Sequence, residues 1–377
     1  MAAAARARFH RLRVTAVDRL TDDSVALTFA VPEELREAYR YTPGQHLALR
    51  RTTVASGTHG GAAGAGAAEA SDGAEIRRTY SICSPAPAGE APHALRVGVR
   101  LVDGGAFSTY AHKEIAVGDE LEVMTPAGRF TLDPAPGHYA AVVGGSGITP
   151  VLSIATTLLE REPQARFCLI RSDRTTASTM FLEEVADLKD RYPDRFQLVT
   201  VLSREEQQAG LASGRLDEER LAALLPALLA MDSVAGWFLC GPLGLVQSAE
   251  RALRGLGVSR ARIHEEIFHV DDGPAPARTP LASTPAHSTV TAQLDGRSGT
   301  WPVQDGESLL ETVLRNRADA PYACKGGVCG TCRAFLVSGS IRMDRNFALE
   351  PEETEAGYVL ACQSHPTTEK VELDFDR

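Results

Sequence analysis

The chain has 377 residues, enough for two or three domains, and its 44% hydrophobic and 23% charged content is that of an ordinary globular protein. A net charge of −10 argues against nucleic acid as a partner. Seven cysteines in a chain this long do not suggest a disulfide framework, and neither a signal peptide nor a membrane span is expected, so the expected compartment is the cytoplasm.

Residues 9–133 contain short segments of alternating polarity separated by turns: FHRLRVTAVDRL, SVALTFAV, HLALRR, RRTYSI, ALRVGVRLV and DELEVMTP. Their spacing predicts an antiparallel barrel. Between the third and fourth lies VASGTHGGAAGAGAAEASDGAE, whose Gly, Ala and Ser content predicts a flexible surface loop. In RTYSIC, alternation along a strand sends Arg78 and Tyr80 to one face. Arginine suits a diphosphate, tyrosine stacks on a flat ring, and Ser81 offers a hydroxyl to a ring nitrogen. Downstream, GGAFSTYAH places Gly105 and Ser108 at a predicted helix start, where free N–H groups bind anions.

From His138 the pattern changes to alternating strands and amphipathic helices, which predicts a doubly wound α/β domain with a parallel sheet. GGSGITP, residues 144–150, follows the first strand and opens a helix. Gly145, Gly147 and Thr149 there read as a diphosphate loop, although the spacing is not GxGxxG. The sequence CGP, Cys240, Gly241 and Pro242, ends the fourth strand, at the edge of the sheet where ligands bind. For a nicotinamide dinucleotide, which the resemblance named below implies, a 2′-phosphate calls for guanidinium groups, and Arg174 and Arg204 follow the second and third strands. That favours NADPH, with NADH the other candidate because Asp173 could instead serve a ribose diol.

HVDDGPAPARTPLASTPAH then reads as a Pro-rich linker, and residues 288–377 begin with a hairpin and a helix that Asp305 or Ser308 could cap. This last segment holds 9 Lys+Arg against 14 Asp+Glu, a charge that could steer toward a basic partner or simply aid solubility. Cys324, Cys329 and Cys332 have four and then two residues between them in CKGGVCGTC, and 29 residues separate Cys332 from Cys362. Three plus one is the plant-type [2Fe-2S] spacing, whereas a four-cysteine zinc site groups its ligands two plus two. Gly326, Gly327 and Gly330 let backbone approach the cluster.

RTYSIC, EVMTPAGRF, GSGITPVLSI, CGP, YACKGGVCGTC and LEPEETEAGYVLACQ, in that order, resemble the ferredoxin–NADP⁺ reductase superfamily with a plant-type ferredoxin fused at the C-terminus. Within it the chain resembles the reductases of phenylacetate-degradation oxygenases. The resemblance implies three domains: a Greek-key FAD barrel at 1–133, a nucleotide domain at 134–268 and, after a linker at 269–287, a β-grasp ferredoxin at 288–377. It implies that Arg78, Tyr80 and Ser81 hold FAD, with Gly105 and Ser108 on its phosphates. Ser81 and Cys240 then face the reacting rings, and Phe268 in HEEIF lies by the flavin. The implied activity is electron transfer from NADPH through FAD and the cluster to a di-iron oxygenase acting on phenylacetyl-CoA. Ketosteroid 9α-hydroxylase reductases share the domain order, and a redox-sensing adaptor without turnover is the reading of another class. No general acid or base is required, so His46 and His112 are expected to be structural.

Overall fold

The computed structural model describes residues 8–52, 75–205, 213–269 and 288–377. The Gly/Ala/Ser-rich loop and the Pro-rich linker lie outside these residues. The chain divides into two compact units, Met1–Val270 and Asp271–Arg377. Among the described residues no helix is long and apolar enough to cross a membrane.

The first unit begins with a six-stranded antiparallel sheet built from β1 (Phe9–Thr21), β2 (Ser24–Ala30), β3 (His46–Thr52), β4 (Glu75–Ser81), β5 (Ala94–Arg100) and β6 (Glu120–Met124). Their order is β4-β3-β6-β1-β2-β5. An antiparallel bridge from Ile82 to Val97 joins the two ends, which removes the open edges. Alternation does the sorting: Leu12 and Val14 are buried while Arg11 and Arg13, which alternate with them, are exposed. One helix, α1 (Ala106–Lys113), follows β5.

A five-stranded parallel sheet follows, formed by β7 (His138–Gly144), β8 (Arg166–Asp173), β9 (Phe196–Leu202), β10 (Val234–Pro242) and β11 (Ile263–His269). The strands run in the order β11-β10-β7-β8-β9. Helices α2 (Ile148–Arg161), α3 (Leu182–Arg191), α4 (Glu218–Leu228) and α5 (Leu243–Gly255) connect them. β7, β8 and β10 are buried along most of their length, as expected when helices cover both faces. The chain leaves β7 toward β8 on one side and returns to β10 on the other, so the crevice between β7 and β10 is the switch point where such sheets bind ligands. β11 runs to His269, one residue past the expected boundary.

Barrel and parallel sheet pack directly on each other. A Cβ on Gly98 of β5 would meet Thr149 at 2.8 Å and Phe181 at 2.9 Å, so only glycine lets the two layers approach here. Ser153 Oγ on α2 donates to the Ser84 carbonyl at 2.7 Å, and Ala86 N–H donates to Thr157 Oγ1 at 2.9 Å. Both bonds satisfy buried polar groups across the seam, each contributing about 1 kcal/mol.

The second unit has a five-stranded mixed sheet in which β12 (Thr289–Leu294), β13 (Arg297–Pro302), β14 (Arg333–Ser338), β16 (Tyr358–Leu360) and β18 (Lys370–Asp374) are ordered β13-β12-β18-β14-β16. Helix α6 (Leu309–Asn316) packs Leu309, Leu310 and Val313 into its core. Ser308, rather than Asp305, caps α6, in a reciprocal box with Glu311. A separate pair, β15 (Ile341–Met343) with β17 (Ser364–Pro366), and the short α7 (Pro351–Glu355) flank the cysteine segments.

Candidate functional site

At the switch point the two glycine-bearing turns mesh. A Cβ on Gly147 would lie 2.2 Å from the Cys240 carbonyl oxygen, and one on Gly241 would lie 2.8 Å from the Gly144 oxygen. Gly145 and Gly241 have φ of 55° and 142°, the left-handed region that favours glycine. Thr149 is buried, and its hydroxyl donates to the Ser146 carbonyl at 3.0 Å, tightening the first turn of α2. Pro242 ends β10 and precedes α5, where its fixed φ suits the entry to a helix.

Four polar side chains from both layers converge beside these turns. Ser81 ends β4 and pairs in register with His46 of β3, and Cys240 pairs with Glu266 of β11. Ser81 Oγ donates to Glu266 Oε2 at 3.3 Å, Cys240 Sγ lies 4.0 Å from the same oxygen, and His46 Nδ1 lies 3.9 Å from Oε1. Burial pushes the Glu266 carboxyl up to about 8, with the Ser81 hydrogen bond pulling the other way. Burial pulls the His46 imidazole down to about 4, and burial together with Glu266 pushes the Cys240 thiol well up. Near pH 7 the cluster is therefore uncharged, with a proton held on the acid.

Sequence alone does not single out Glu266, although a signal is present: HEEIF carries Phe268 two residues further along the same strand, hence on the same face. Phe268 itself is partly buried against the core shared by the two layers. His46 is a core histidine, as expected, yet it faces the acid; His112 lies 3.5 Å from Arg19 at the surface.

Along β4, Arg78 is exposed and Tyr80 half-buried on one face, while Arg77 turns to the other, buried over the Phe9 ring. Tyr80 packs 5.6 Å from the Phe107 ring of α1, and burial raises its phenol well above the ordinary range. Arg78 and Tyr80 on one face suit a flavin's phosphates and ring, while Ser81, next along the strand and buried, reaches Glu266. Gly105 caps α1. Ser108 Oγ is consumed locally, accepting from Val102 N–H at 3.1 Å and donating to the Gly105 carbonyl at 3.1 Å. The serine shapes the turn, and the helix start is what it leaves to an anion.

Beyond the carboxyl ends of β8 and β9, Arg174 and Arg204 are both exposed, and Arg204 N–H donates to the Arg174 carbonyl at 2.9 Å. Glu205 fastens the same loops by accepting from Thr176 N–H at 2.8 Å. Asp173 is not available as a ribose acceptor: Arg171 Nε donates to its Oδ2 at 2.8 Å, with the two side chains only 1% and 2% exposed. A further arginine is invisible to the sequence patterns. Arg100 at the end of β5 donates to both Asp23 oxygens and to the Ser178 carbonyl, and its Nη1 lies 2.9 Å from where a Cβ on Gly145 would stand. Long-range packing, which no local pattern announces, brings it to the glycine loop.

In the second unit the four cysteine sulfurs associate two by two. The Cys329 thiol, donating to Cys324, is the main cause that holds Cys324 below the usual thiol range, and the N–H groups of Gly326, Val328 and Cys329 add to it. Cys332 likewise lowers Cys362, helped by Gln363 and the Gly327 N–H. Among the described residues no three Cys, His, Asp or Glu side chains are gathered as a single ion would hold them. Two pairs of sulfurs with backbone N–H groups aimed at them fit a two-iron cluster, one pair to each iron. Gly327 and Gly330 have φ of 79° and 68°, and Lys325 shares that region at 52°; Gly326 does not.

A sequence profile of the oxidoreductase NAD-binding domain matches residues 142–251, and one of the 2Fe-2S iron-sulfur cluster binding domain matches 292–367. The chain is 42% identical to one of the subunits of 1,2-phenylacetyl-CoA epoxidase from Escherichia coli, over 98% of both proteins. It is 32% identical to the ferredoxin reductase component of 3-ketosteroid-9-alpha-monooxygenase from Rhodococcus rhodochrous, over 97% of this chain and 96% of that one. Phthalate dioxygenase reductase shares the fold at a TM-score of 0.58 and 22% identity, over 97% of this chain and 98% of its own. Together these make the chain an oxidoreductase that joins a NAD-binding domain to a 2Fe-2S cluster binding domain, in the fold of phthalate dioxygenase reductase.

Proposed function

The chain belongs to the family of oxygenase reductases that includes this 1,2-phenylacetyl-CoA epoxidase component, and from that premise we propose that it takes electrons from NADPH through FAD and the [2Fe-2S] cluster to the di-iron oxygenase that epoxidises the phenylacetyl-CoA ring. Bound flavin divides the coenzyme's electron pair into the single electrons that an iron–sulfur cluster carries. Everything else is done by side chains and turns of this protein.

Arg78 and the start of α1 bind the FAD diphosphate, Tyr80 stacks on its ring, and Ser81 bonds a ring nitrogen. Gly145, Gly147 and Thr149 form the coenzyme's diphosphate turn, with Arg100 beside it. Cys240, Gly241 and Pro242 wall the nicotinamide pocket, where a small thiol and a bare backbone leave room for a flat ring. Phe268 covers the flavin side. Glu266 holds a proton within reach of Ser81. The observation that carries this reading is the meeting of Ser81, Cys240 and Glu266 where barrel and sheet join.

NADPH is favoured over NADH by two exposed guanidinium groups, Arg174 and Arg204, on joined loops, and by the engagement of Asp173 with Arg171. We assign residues 1–133 to flavin, 134–268 to coenzyme, 269–287 to a linker and 288–377 to the cluster. The proposed compartment is the cytoplasm, which keeps thiols reduced. Reconstitution with the purified oxygenase components tests the partner. Coenzyme-dependent oxidation of phenylacetyl-CoA should depend on this chain, and an oxygenase that stays idle while cytochrome c is reduced would refute the assignment.

A further inference from the structure

The cluster ligands arrive on two separate pieces of chain, the loop 324–332 and the segment holding Cys362, and one side chain ties them together. Gln363 Nε2 donates to the Lys325 carbonyl at 2.8 Å, lies 3.2 Å from the Cys362 carbonyl, and faces Cys362 Sγ at 3.7 Å. The amide therefore bonds the first-ligand loop and the fourth ligand's sulfur from one nitrogen. The loop is shaped to receive it. Gly327 has φ 79°, and a Cβ there would lie 3.1 Å from Gln363 Cγ, so the glycine clears the path of the side chain. Lys325 is a non-glycine residue at φ 52°, an unfavourable conformation that persists only where its surroundings hold it. Its carbonyl is held by Gln363, and its ammonium lies 4.9 Å from the Tyr322 ring centroid. From its other end, the Gln363 carbonyl accepts from Asp344 N–H at 2.8 Å, which anchors the residue beside β15.

We propose that Gln363 is the positioning residue of the cluster: its amide straps the strained ligand loop to the Cys362 segment and, by donating to the Cys362 sulfur, raises the cluster's reduction potential. Adding an electron makes the cluster more negative, and a donor aimed at a ligand sulfur favours that form. The proposal rests on the [2Fe-2S] reading of the four cysteines and on no part of the coenzyme path.

Dithionite titration of the full-length protein, followed by the electron paramagnetic resonance signal of the reduced cluster, tests it without flavin turnover or coenzyme. Gln363→Leu, which keeps the bulk and removes the donor, should lower the midpoint potential while the cluster's absorption persists. Gln363→Glu should also lower it near neutral pH, with partial recovery in acid as the carboxyl regains a donor proton. Should Gln363→Leu fail to retain a cluster, retention by Gln363→His, which keeps an N–H at similar reach, supports the strap. An unchanged or raised midpoint in Gln363→Leu, or loss of the cluster in both the leucine and histidine variants, overturns it.

Discussion

Gly147 at the start of α2 stands so close to Cys240 at the end of β10 that a Cβ on the glycine would lie 2.2 Å from the cysteine's carbonyl oxygen. The contact is backbone against backbone, so no rotamer can relieve it. It sets the distance between the turn we propose for the coenzyme's diphosphate and the proposed wall of its nicotinamide pocket. Gly147→Ala should cost about 1–3 kcal/mol of stability through overpacking. It should also slow flavin reduction by NADPH at least roughly tenfold, since misplacing reacting groups by an ångström is enough to do so. Stopped-flow bleaching of the flavin absorption measures the second effect, and a wild-type rate would show that the turns can separate without consequence.

Glu266 makes stability depend on pH in a definite direction. Its folded value of about 8 stands above the ordinary 4.5, so between these values the unfolded chain has released a proton that the folded chain keeps. Stability falls as pH rises through that window. His46 acts oppositely: its folded value of about 4 lies below 6.5, and stability is lost as pH falls between the two. Between pH 6.5 and 8 only the acid of this pair contributes. Flavin-free protein should therefore unfold at lower temperature at pH 8 than at pH 6.5, and Glu266→Gln should reduce that difference. Equal slopes in the two proteins would mean that the carboxyl is already ionised at pH 6.5.

Arg204→Ala removes one guanidinium from the pair beyond β8 and β9. A charge-assisted hydrogen bond contributes roughly 1.5–3 kcal/mol, so the KM for NADPH should rise about 10–100-fold while that for NADH changes little. Steady-state ferricyanide reduction with each coenzyme measures both. Parallel changes would remove the 2′-phosphate role.

Cys329→Ser should abolish cluster absorption and cytochrome c reduction while NADPH-dependent ferricyanide reduction persists. The cluster domain's core is built from its own strands and α6, so the flavin unit should be untouched. Surviving cytochrome c reduction would mean that electrons leave directly from the flavin.

Truncation after residue 287 should yield a yellow protein that oxidises NADPH, because the unit Met1–Val270 contains both upstream cores whole. Loss of bound flavin, measured by absorption after gel filtration, would show that the cluster domain contributes to holding it.

The architecture is legible in the sequence where pattern is local. The barrel strands declare themselves by alternation, the parallel strands β7, β8 and β10 by apolar runs, and the cysteine ligands by spacing. β8 runs over Arg166–Asp173, one of the strands that the alternating pattern after His138 predicts. What escapes is set by packing between elements distant in sequence. Glu266 becomes part of the site only because β11 lies beside β10 and faces Ser81, 185 residues earlier. Arg100 reads as an ordinary strand residue until the barrel docks on the glycine loop. Ser108 looks like a phosphate ligand, yet its hydroxyl is spent inside its own turn. Asp173 looks like a ribose acceptor until Arg171, two residues before it on the same strand face, claims its carboxylate.

That last pairing limits how this reductase can be re-engineered. On the proposed NADPH reading, stripping away Arg174 and Arg204 would not by itself supply a ribose acceptor, since Asp173 faces inward and Glu205 is engaged with Thr176. Freeing Asp173 by replacing Arg171 would strand a charge in the protein interior, a change that typically costs about 3–5 kcal/mol. A redesign would do better to graft a new carboxylate onto the exposed loop and leave the inner pair intact.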